Sequence, residues 1–542
     1  MPPAPAGRQR RMRMSSAIGR YRGRLDRRAF LKLAGLAAAS AGLVRLGRAW
    51  AEGDAPRRLN LLLITADDLN CDSVGAFGGK VPQITPNIDR LASQSMRFAH
   101  AHVTIAVCQP SRSALLTGRY PHRSGGEGFH RITHLDTPTL WERLAAGGYR
   151  TGLMAKVPHC LPKATDKPDT VVDAADLGVG RAAELYYKHA LEFMAGASKA
   201  GRPFFLMANS QDPHRPYSGS DQEPKAWKNT IPPPSRTYRP EEVIVPGFLP
   251  DLPDVRREIA EYFSSVRRCD DTVGAILKAL ADSGQQDNTL VMFLSDNGIA
   301  VPFAKTNCYL HSTHTPWLVR WPGKVRPGAA DDEHFISGID YMPTVLEAAG
   351  LDAPGGMDGK SFLPLLRGEK QAGRNMVFTQ FHENSARMRF PMRCVQDKRF
   401  GYIFNPWSDG VRAFKNESQS GRTWPAMVQA AADKADIAAR VKMFSYRTPE
   451  ELYDFQADPD ALHNLAGDPK YKAQLDAMRQ TLRDWMVRTQ DPALEAFDNR
   501  GNPEALAKFM QSQDAAAGKA GNAKAGKARA KKNASPQAGE DQ

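Results

Sequence analysis

The sequence predicts an α/β fold with a mostly parallel sheet flanked by helices, followed by a smaller C-terminal α+β domain that contains an antiparallel sheet. Short, continuous apolar runs alternate with segments of helical pattern over residues 57–374, and strands buried on both faces of a parallel sheet carry such runs. Polar clusters follow directly after several of the runs. This is expected where ligands gather beyond the carboxyl ends of parallel strands.

The predicted elements follow from these patterns. Four continuous apolar runs are the predicted core strands, at residues 59–65, 149–156, 203–209 and 289–295. Segments of helical pattern lie between them, at residues 86–95, 139–146, 182–196 and 255–283. The predicted C-terminal strands and the helix that follows them lie at residues 376–383, 392–404, 451–454 and 471–489. We therefore predict a first, catalytic domain at 57–374 and a C-terminal subdomain at 375–495.

The formal net charge of +14 lies at the two ends of the chain. Residues 1–51 contain twelve Lys and Arg and one acid, and residues 501–542 contain seven Lys and Arg and four acids, which together account for the whole excess. The body between them is near neutral, so the sequence does not indicate a nucleic-acid partner. The last segment, 501–542, is rich in Ala, Gly and Lys and is predicted to be a disordered basic tail.

The N-terminus has the organisation of an export signal. Residues 26–32, DRRAFLK, resemble the twin-arginine motif with Asp in place of the usual Ser or Thr, and an apolar stretch leads to a small-residue cleavage site after Ala51. Arg45 and Arg48 interrupt this stretch, which is too short and too weakly apolar to span a bilayer. We expect a cleaved signal peptide at 1–51, the twin-arginine translocase as a partner, no permanent membrane anchor, and a periplasmic or secreted protein.

Residues 104–123, TIAVCQPSRSALLTGRYPHR, place Cys108 at the predicted start of a helix. Pro110 suits the first helical turn, and Gly118 suits the end of the helix. Free backbone N–H groups and the helix dipole favour an anion at such a position, and Arg112 adds a planar donor group that fits tetrahedral oxyanions. A lone cysteine is more often a buried apolar residue, but this setting favours chemistry on sulfate or phosphate.

Two polar pairs follow two of the predicted core strands. Asp67 and Asp68 come after the first strand, and Asp296 and Asn297 come after the fourth. A single such pair is usually a loop or a helix cap. Two pairs at the same edge of a sheet predict a cation between them, because adjacent buried carboxylates are costly without positive charge. Hard oxygen ligands suit Ca²⁺, with Mg²⁺ as the alternative.

The run from Cys108 to Arg119, CQPSRSALLTGR, closely resembles the sulfatase signature C-x-P-S-R-x-x-x-L-T-G-R. The resemblance implies the alkaline-phosphatase-like fold and oxidation of Cys108 to formylglycine by a maturation enzyme, with the hydrate of that aldehyde as the nucleophile. It also implies the ligands of the divalent cation, which are Asp67, Asp68, Asp296, Asn297 and the formylglycine made from Cys108.

The same resemblance extends to further residues. The family motif Gly-Lys-x-His reads Ala-Lys-Val-Pro-His here, so Lys156 matches, the glycine is absent, and His159 comes one residue late. His214 lies in a faithful Asp-Pro-His-Arg segment, and Lys305 matches a second sulfate-binding basic residue that is an arginine in similar proteins. A loop histidine at 159 and a solvated lysine at 305 are the alternatives. The implied catalytic residues are Cys108, Arg112, Lys156, His159, His214 and Lys305.

Two C-terminal segments resemble the heparan N-sulfatase subgroup, which removes N-sulfate from glucosamine. These segments are residues 380–383, QFHE, and 391–395, PMRCV, and the spacing between them is longer here than in that subgroup. His382, Glu383 and Arg393 are therefore candidate substrate contacts, with a structural role as the alternative.

The predicted function is hydrolysis of a sulfate ester or sulfamate through a covalent sulfo-enzyme, on a sulfated glycan or a small sulfated substrate. In this prediction Lys156, Lys305 and Arg112 offset charge on the sulfate oxygens. His214 protonates the leaving group, and His159 takes a proton from the second hydroxyl of the hydrate. A phosphonate or phosphodiester hydrolase on the same fold is one alternative. A non-catalytic glycan-binding protein is another, if Cys108 stays unmodified.

Overall fold

The computed structural model describes residues 58–228 and 230–516, and these residues belong to one compact unit. The predicted signal peptide and the segment 517–542 lie outside the described residues. Within the described part of the chain, no helix is long and apolar enough to cross a membrane.

An eight-stranded sheet forms the centre of the fold. Its strands are β1 Asn60–Asp67, β2 Met96–His102, β3 Arg150–Met154, β4 Thr170–Val172, β5 Phe204–Pro213, β6 Thr289–Ser295, β7 Trp317–Arg320 and β8 Ala330–Ser337. The spatial order is β4-β3-β5-β1-β6-β7-β2-β8. Only β7 runs antiparallel to its neighbours, so the predicted mostly parallel sheet is confirmed.

Helices flank this sheet and connect its strands. They are α1 Pro86–Ser93, α2 Cys108–Thr117, α3 Pro121–Ser124, α4 Leu140–Ala146, α5 Val157–Cys160, α6 Ala183–Lys199, α7 Lys225–Lys228, α8 Pro253–Asp282, α9 Leu310–Thr313, α10 Tyr341–Ala348 and α11 Leu363–Leu366. Because side chains alternate across a strand, β1 contributes residues to two apolar clusters. Leu62 and Ile64 belong to one apolar cluster, and Leu61 and Leu63 belong to another.

The second sheet has four antiparallel strands. They are β9 Val377–Glu383, β10 Arg389–Gln396, β11 Phe400–Phe404 and β12 Glu450–Asp454, in the order β12-β11-β10-β9. The helices of this part are α12 Thr423–Ala430, α13 Ala435–Tyr446, α14 Lys472–Thr489 and α15 Leu494–Asp498. Leu475, Met478 and Leu482 of α14 pack in one cluster with Tyr402 and Phe404 of β11. The α+β prediction is confirmed, while the boundary at 374/375 stays a prediction.

The start of the predicted disordered tail is helical. Residues 503–516 form a helix, α16, which buries Leu506 and Met510. Its Gln513 accepts a hydrogen bond from Arg389 Nη1 at 2.8 Å. The disorder prediction is therefore wrong for 503–516, because averaging over the whole basic segment hid the helically spaced apolar residues at its start.

Candidate active site

The two predicted polar pairs meet at the carboxyl ends of neighbouring strands. Asp67 ends β1 and Asp68 follows it, while Asp296 and Asn297 follow β6, and β1 pairs with β6 in parallel. The backbone N–H of Asp68 donates to Asp296 Oδ1 at 3.1 Å, and Asn297 Nδ2 donates to Asp68 Oδ1 at 2.8 Å. All four side chains are buried. Strand pairing thus brings together residues that are more than 220 positions apart in the chain.

Cys108 is the first residue of α2, and its side chain faces the same carboxylates. Its Sγ lies 3.5 Å from Asp67 Oδ1 and 3.2 Å from Lys305 Nζ. The helix ends at Gly118, whose φ of 64° is in the left-handed region that favours glycine. Burial, reinforced by Asp67, raises the pKa of the Cys108 thiol well above its usual value. Unmodified Cys108 is consequently a neutral thiol and a poor nucleophile at neutral pH.

The donor atoms around Cys108 fit a divalent cation. One ligand atom each from Asp67, Asp68, Cys108 and His214 lie within 4.8 Å of one another. The buried Asp68 Oδ2 and Asn297 Oδ1 have no hydrogen-bond partner among the described residues. Burial and the neighbouring Asp67 raise the pKa of Asp68 and of Asp296 to about 6. Carboxylates crowded in this way need positive charge between them, and their hard oxygens suit Ca²⁺ or Mg²⁺.

Arg112 is buried against the carboxylates, and both of its terminal nitrogens have partners, whereas its Nε has none among the described residues. It is 2% exposed. Its Nη1 donates to Thr65 Oγ1 at 2.7 Å and to Asn209 Oδ1 at 2.6 Å. Its Nη2 lies 3.2 Å from Asp67 Oδ2 and 2.9 Å from Asp296 Oδ2. The resemblance predicted that this guanidinium offsets charge on the sulfate oxygens. The structure uses it to hold the two carboxylates, because both of its terminal nitrogens are already engaged.

Two lysines supply positive charge near Cys108. Lys156 Nζ lies 2.5 Å from Asp67 Oδ2, and Lys305 Nζ lies 2.7 Å from Asp68 Oδ1. Burial acts to lower the pKa of Lys305, but Asp68 and its other neighbours raise it above the usual value. The pKa of Lys156 is raised in the same way, with Asp67 overcoming burial. Both side chains are therefore ammonium groups, and Lys305 is not the solvated lysine of the alternative interpretation.

Two histidines approach the cluster as neutral imidazoles. His214 Nδ1 lies 2.6 Å from the Arg215 carbonyl oxygen, which leaves Nε2 as the atom nearer the site, 3.9 Å from Asp68 Oδ2. Burial, followed by Lys305 and Lys156, lowers the pKa of His214 to about 4. His159 follows Lys156 on α5, and burial and Lys156 lower its pKa to about 3. An anionic substrate would raise the proton affinity of both rings.

Several residues of the site have strained backbones. Asp68, Ala155, Lys156 and Thr306 have φ values of 69°, 53°, 50° and 67°. Non-glycine residues in this left-handed region cost about 1–3 kcal/mol each, and they persist where the surrounding structure holds them. Ala155 occupies the position at which the sequence motif has lost its glycine, and it keeps the backbone conformation that a glycine would favour.

The three candidate substrate contacts belong to a buried charge network. Arg393 is 1% exposed and binds Asp491 through Nε at 2.5 Å and Nη2 at 2.9 Å. His382 Nδ1 lies 3.2 Å from Glu127, and the buried Glu383 lies 3.4 Å from Arg389. None of these described contacts reaches Cys108 or its carboxylates. All three side chains are buried and form ion pairs within the protein, which favours the structural alternative. Their role as substrate contacts stays a prediction.

One residue of the site had no signal in the sequence. Glu417 lies on a 3₁₀ turn, Glu417–Gln419, and its Oε1 is 2.6 Å from Lys305 Nζ. The turn belongs to an irregular segment between β11 and α12 and carries no motif. Its placement depends on tertiary packing across more than 100 residues of chain.

The chain is similar in sequence to known proteins. The Sulfatase family profile matches residues 59–351, and the profile "N-sulphoglucosamine sulphohydrolase, C-terminal" matches residues 300–408. Human N-sulphoglucosamine sulphohydrolase is 31% identical over 474 residues, which cover 82% of this chain and 92% of that protein.

Two solved structures show the same fold. A 2-O GAG sulfatase superposes with a TM-score of 0.59 at 22% identity, over 83% of this chain and 96% of that chain. A phosphonate monoester hydrolase of Agrobacterium radiobacter superposes with a TM-score of 0.59 at 18% identity, over 80% and 96% of the two chains. At these identities the likeness establishes the alkaline-phosphatase-like fold alone, whereas the family profile covers more than half of the chain. The chain belongs to the sulfatase family.

Proposed function

We propose that this protein removes sulfate from N-sulfoglucosamine-type units of a sulfated glycan, with sulfate esters as the alternative substrates. The observation that carries the proposal is the position of Cys108, whose Sγ lies within 3.5 Å of both the Asp67 carboxylate and the Lys305 ammonium. The similarity to human N-sulphoglucosamine sulphohydrolase over most of both chains supports an N-sulfated sugar as the substrate.

Two groups complete the proposed site. A divalent cation, Ca²⁺ or alternatively Mg²⁺, held by Asp67, Asp68, Asp296 and Asn297, would polarise the sulfate and acidify the hydroxyl at position 108. Formylglycine made from Cys108 by a maturation enzyme would supply, as its hydrate, one hydroxyl for bond formation to sulfur and a second for the release of sulfate.

The side chains of the site take the remaining roles. Lys156 and Lys305 hold the sulfate oxygens and offset the charge that develops on them. The anionic substrate raises the proton affinity of His214, which then takes up a proton at Nε2. It delivers this proton to the nitrogen or oxygen that leaves as its bond to sulfur breaks. His159 accepts the proton of the second hydroxyl at position 108, which releases sulfate. Arg112 keeps Asp67 and Asp296 in position through its Nη2, which contacts both carboxylates.

Paired substrates test this proposal. We expect the purified, matured protein to release sulfate from N-sulfoglucosamine, to act less on O-sulfated glucosamine, and to act least on a matched aryl phosphate. Faster turnover of the phosphate or of a phosphonate would favour the phosphonate hydrolase, to which the chain is similar in fold. Intact-mass spectrometry of the native protein tests the binding-protein alternative, because a fully retained Cys108 thiol would support it.

We further propose export through the twin-arginine translocase, and support for this comes from residues 26–32 alone. A protein in which both Arg27→Lys and Arg28→Lys are made should accumulate inside the cell with its first 51 residues attached. Equal export of that variant and the wild type would contradict the proposed route.

A further inference from the structure

A carboxylate stands beside a lysine that is proposed to bind sulfate. Glu417 Oε1 lies 2.6 Å from Lys305 Nζ, and the Glu417 side chain keeps 28% of its surface exposed while that of Lys305 is fully buried. Negative charge at this position weakens the attraction of Lys305 for a sulfate group. This charge does not strengthen sulfate binding, and it is compatible with recognition by the carboxylate of another group on the substrate.

Glu417 is held firmly in this position. Asn416 caps the turn by accepting the Ser418 N–H at 3.0 Å, and its Nδ2 donates to Thr306 Oγ1 at 2.5 Å. Ser418 Oγ lies 3.4 Å from the Lys305 carbonyl oxygen. The turn is thus attached to the segment that carries Lys305. The Glu417 carboxylate is therefore preorganised rather than a mobile surface group.

Glu417 is also linked, through Lys305 and Asp68, to the histidine that is proposed to protonate the leaving group. Asp68 links the two groups concerned, because its Oδ1 is 2.7 Å from Lys305 Nζ and its Oδ2 is 3.9 Å from His214 Nε2. The carboxylate and the proposed proton donor are therefore neighbours of the same Lys305–Asp68 pair, which supports a role for Glu417 near the leaving group.

We propose that Glu417 is a specificity-determining residue that selects sulfamates over sulfate esters, an inference that rests on the proposed function. The bridging nitrogen of a sulfamate carries a hydrogen that Glu417 accepts. The bridging oxygen of an ester carries only lone pairs, which the carboxylate repels. One charge-assisted hydrogen bond of this kind changes selectivity by about 10- to 100-fold.

The leaving groups of a sulfamate and of a sulfate ester also differ in charge after the reaction, and this difference again favours the sulfamate. When the sulfur–nitrogen bond breaks, its electron pair stays on nitrogen, which takes one proton from His214 to become an amine and a second from water to become an ammonium. Glu417 then pairs with that cation. When a sulfur–oxygen bond breaks, the oxygen takes one proton and leaves as a neutral alcohol, for which the carboxylate offers no charge pairing.

The test compares Glu417→Gln with the wild type on N-sulfoglucosamine and glucose 2-sulfate, which differ only in the bridging NH or O. We expect the ratio of kcat/KM for the sulfamate to kcat/KM for the ester to fall at least tenfold, because the ester gains from the removal of a repelling charge. Asp409→Asn is the matched control. It removes the same charge from the same part of the chain, and an Asn carbonyl can still accept the Val411 and Arg412 N–H groups that Asp409 Oδ1 accepts.

Calorimetry of product binding gives a readout that does not require turnover. Glucosamine, which is an ammonium ion, should bind the wild type about tenfold more tightly than it binds Glu417→Gln, whereas glucose should bind both equally. A wild type that cleaves N-sulfoglucosamine, together with an unchanged ratio in the variant, would overturn this inference alone. A wild type that cleaves neither substrate would overturn the proposed function and this inference with it.

Discussion

The Arg393–Asp491 pair offers a direct test of whether Arg393 contacts substrate or only holds the fold. Asp491 follows α14, and Arg393 lies on β10, so the pair joins the helix to the second sheet. The Asp491 carboxylate also accepts the Ala493 N–H at 2.9 Å. Asp491→Ala would leave the Arg393 guanidinium buried without a counter-charge, and such a loss costs about 3–5 kcal/mol of unfolding free energy.

The magnitude is large compared with the usual total stability of about 5–15 kcal/mol. Urea denaturation followed by tryptophan fluorescence measures it, because the signal includes that of Trp485, which lies on α14 with its ring stacked on Phe378 at 5.1 Å. We expect Arg393→Met and Asp491→Ala each to lower the urea midpoint. The double variant Arg393→Met/Asp491→Leu should be closer to the wild type than the sum of the two single effects, because it leaves no unpaired buried charge.

The contribution of the Arg393–Asp491 pair to the free energy of unfolding changes with pH in a direction set by the pKa of Asp491. Burial acts to raise the pKa of Asp491, but Arg393 outweighs it and the pKa is lowered below its usual value. A lowered folded-state pKa contributes stability above the unfolded-state pKa of about 4, and this stability is lost as the pH falls through the folded-state pKa. The stability difference between the wild type and Asp491→Asn should therefore be largest at neutral pH and shrink below about pH 4.

Activity decides the question of substrate contact. Arg393→Met protein that is still folded at the assay temperature should keep kcat/KM for N-sulfoglucosamine within about threefold of the wild type, because less than ~1 kcal/mol of transition-state binding is then lost. A fall of more than tenfold at unchanged urea midpoint would refute the reasoning and would return Arg393 to the substrate contacts.

Three further outcomes are expected at the catalytic centre. Cys108→Ser should fold with an unchanged melting temperature but lose more than about 10³-fold in kcat, and normal sulfate release by this variant would contradict the formylglycine assignment. His214→Ala should reduce turnover of N-sulfoglucosamine by about 10²–10⁴-fold and that of an aryl sulfate much less, because a phenolate leaves without a proton. Chelation should abolish binding of inorganic sulfate in calorimetry, with recovery on adding Ca²⁺ or Mg²⁺, whereas undiminished binding after chelation would argue against the cation.

The sequence predicted those parts of the fold that depend on local pattern. The continuous apolar runs of β1, β5 and β6 are buried along nearly their whole length, so their composition alone identifies them. In contrast, β8 begins with Ala-Asp-Asp-Glu, in which all residues but the half-buried Asp331 are exposed, and no periodicity distinguishes it from a loop. The position of β8 beside β2 at the edge of the sheet follows from pairing between distant segments, which the sequence does not display.

The site likewise contains residues that the local sequence pattern predicts and residues whose placement depends on contacts between distant segments. Asp67, Asp68 and Asp296 were predictable because they follow core strands that pair side by side, which fixes where their side chains meet. The orientation of Arg112 was not predictable, because its partners Thr65 and Asn209 are ordinary polar residues within strands. Both the placement of Glu417 and the order of α16 depend on packing against residues more than 100 positions away.

The balance of charge within the site explains why a carboxylate there can assist catalysis. Among the residues that the structure describes, the ion pairs beside Cys108 join four carboxylates and three cations, namely Asp67, Asp68, Asp296, Glu417, Arg112, Lys156 and Lys305. Their formal sum is one negative charge, which repels sulfate, whereas a bound divalent cation reverses the sum to one positive charge. Without Glu417 the sum would be two positive charges, and the sulfate product would be held more tightly. Glu417 therefore favours release of sulfate as well as recognition of the leaving amine, because the same charge opposes one product and pairs with the other.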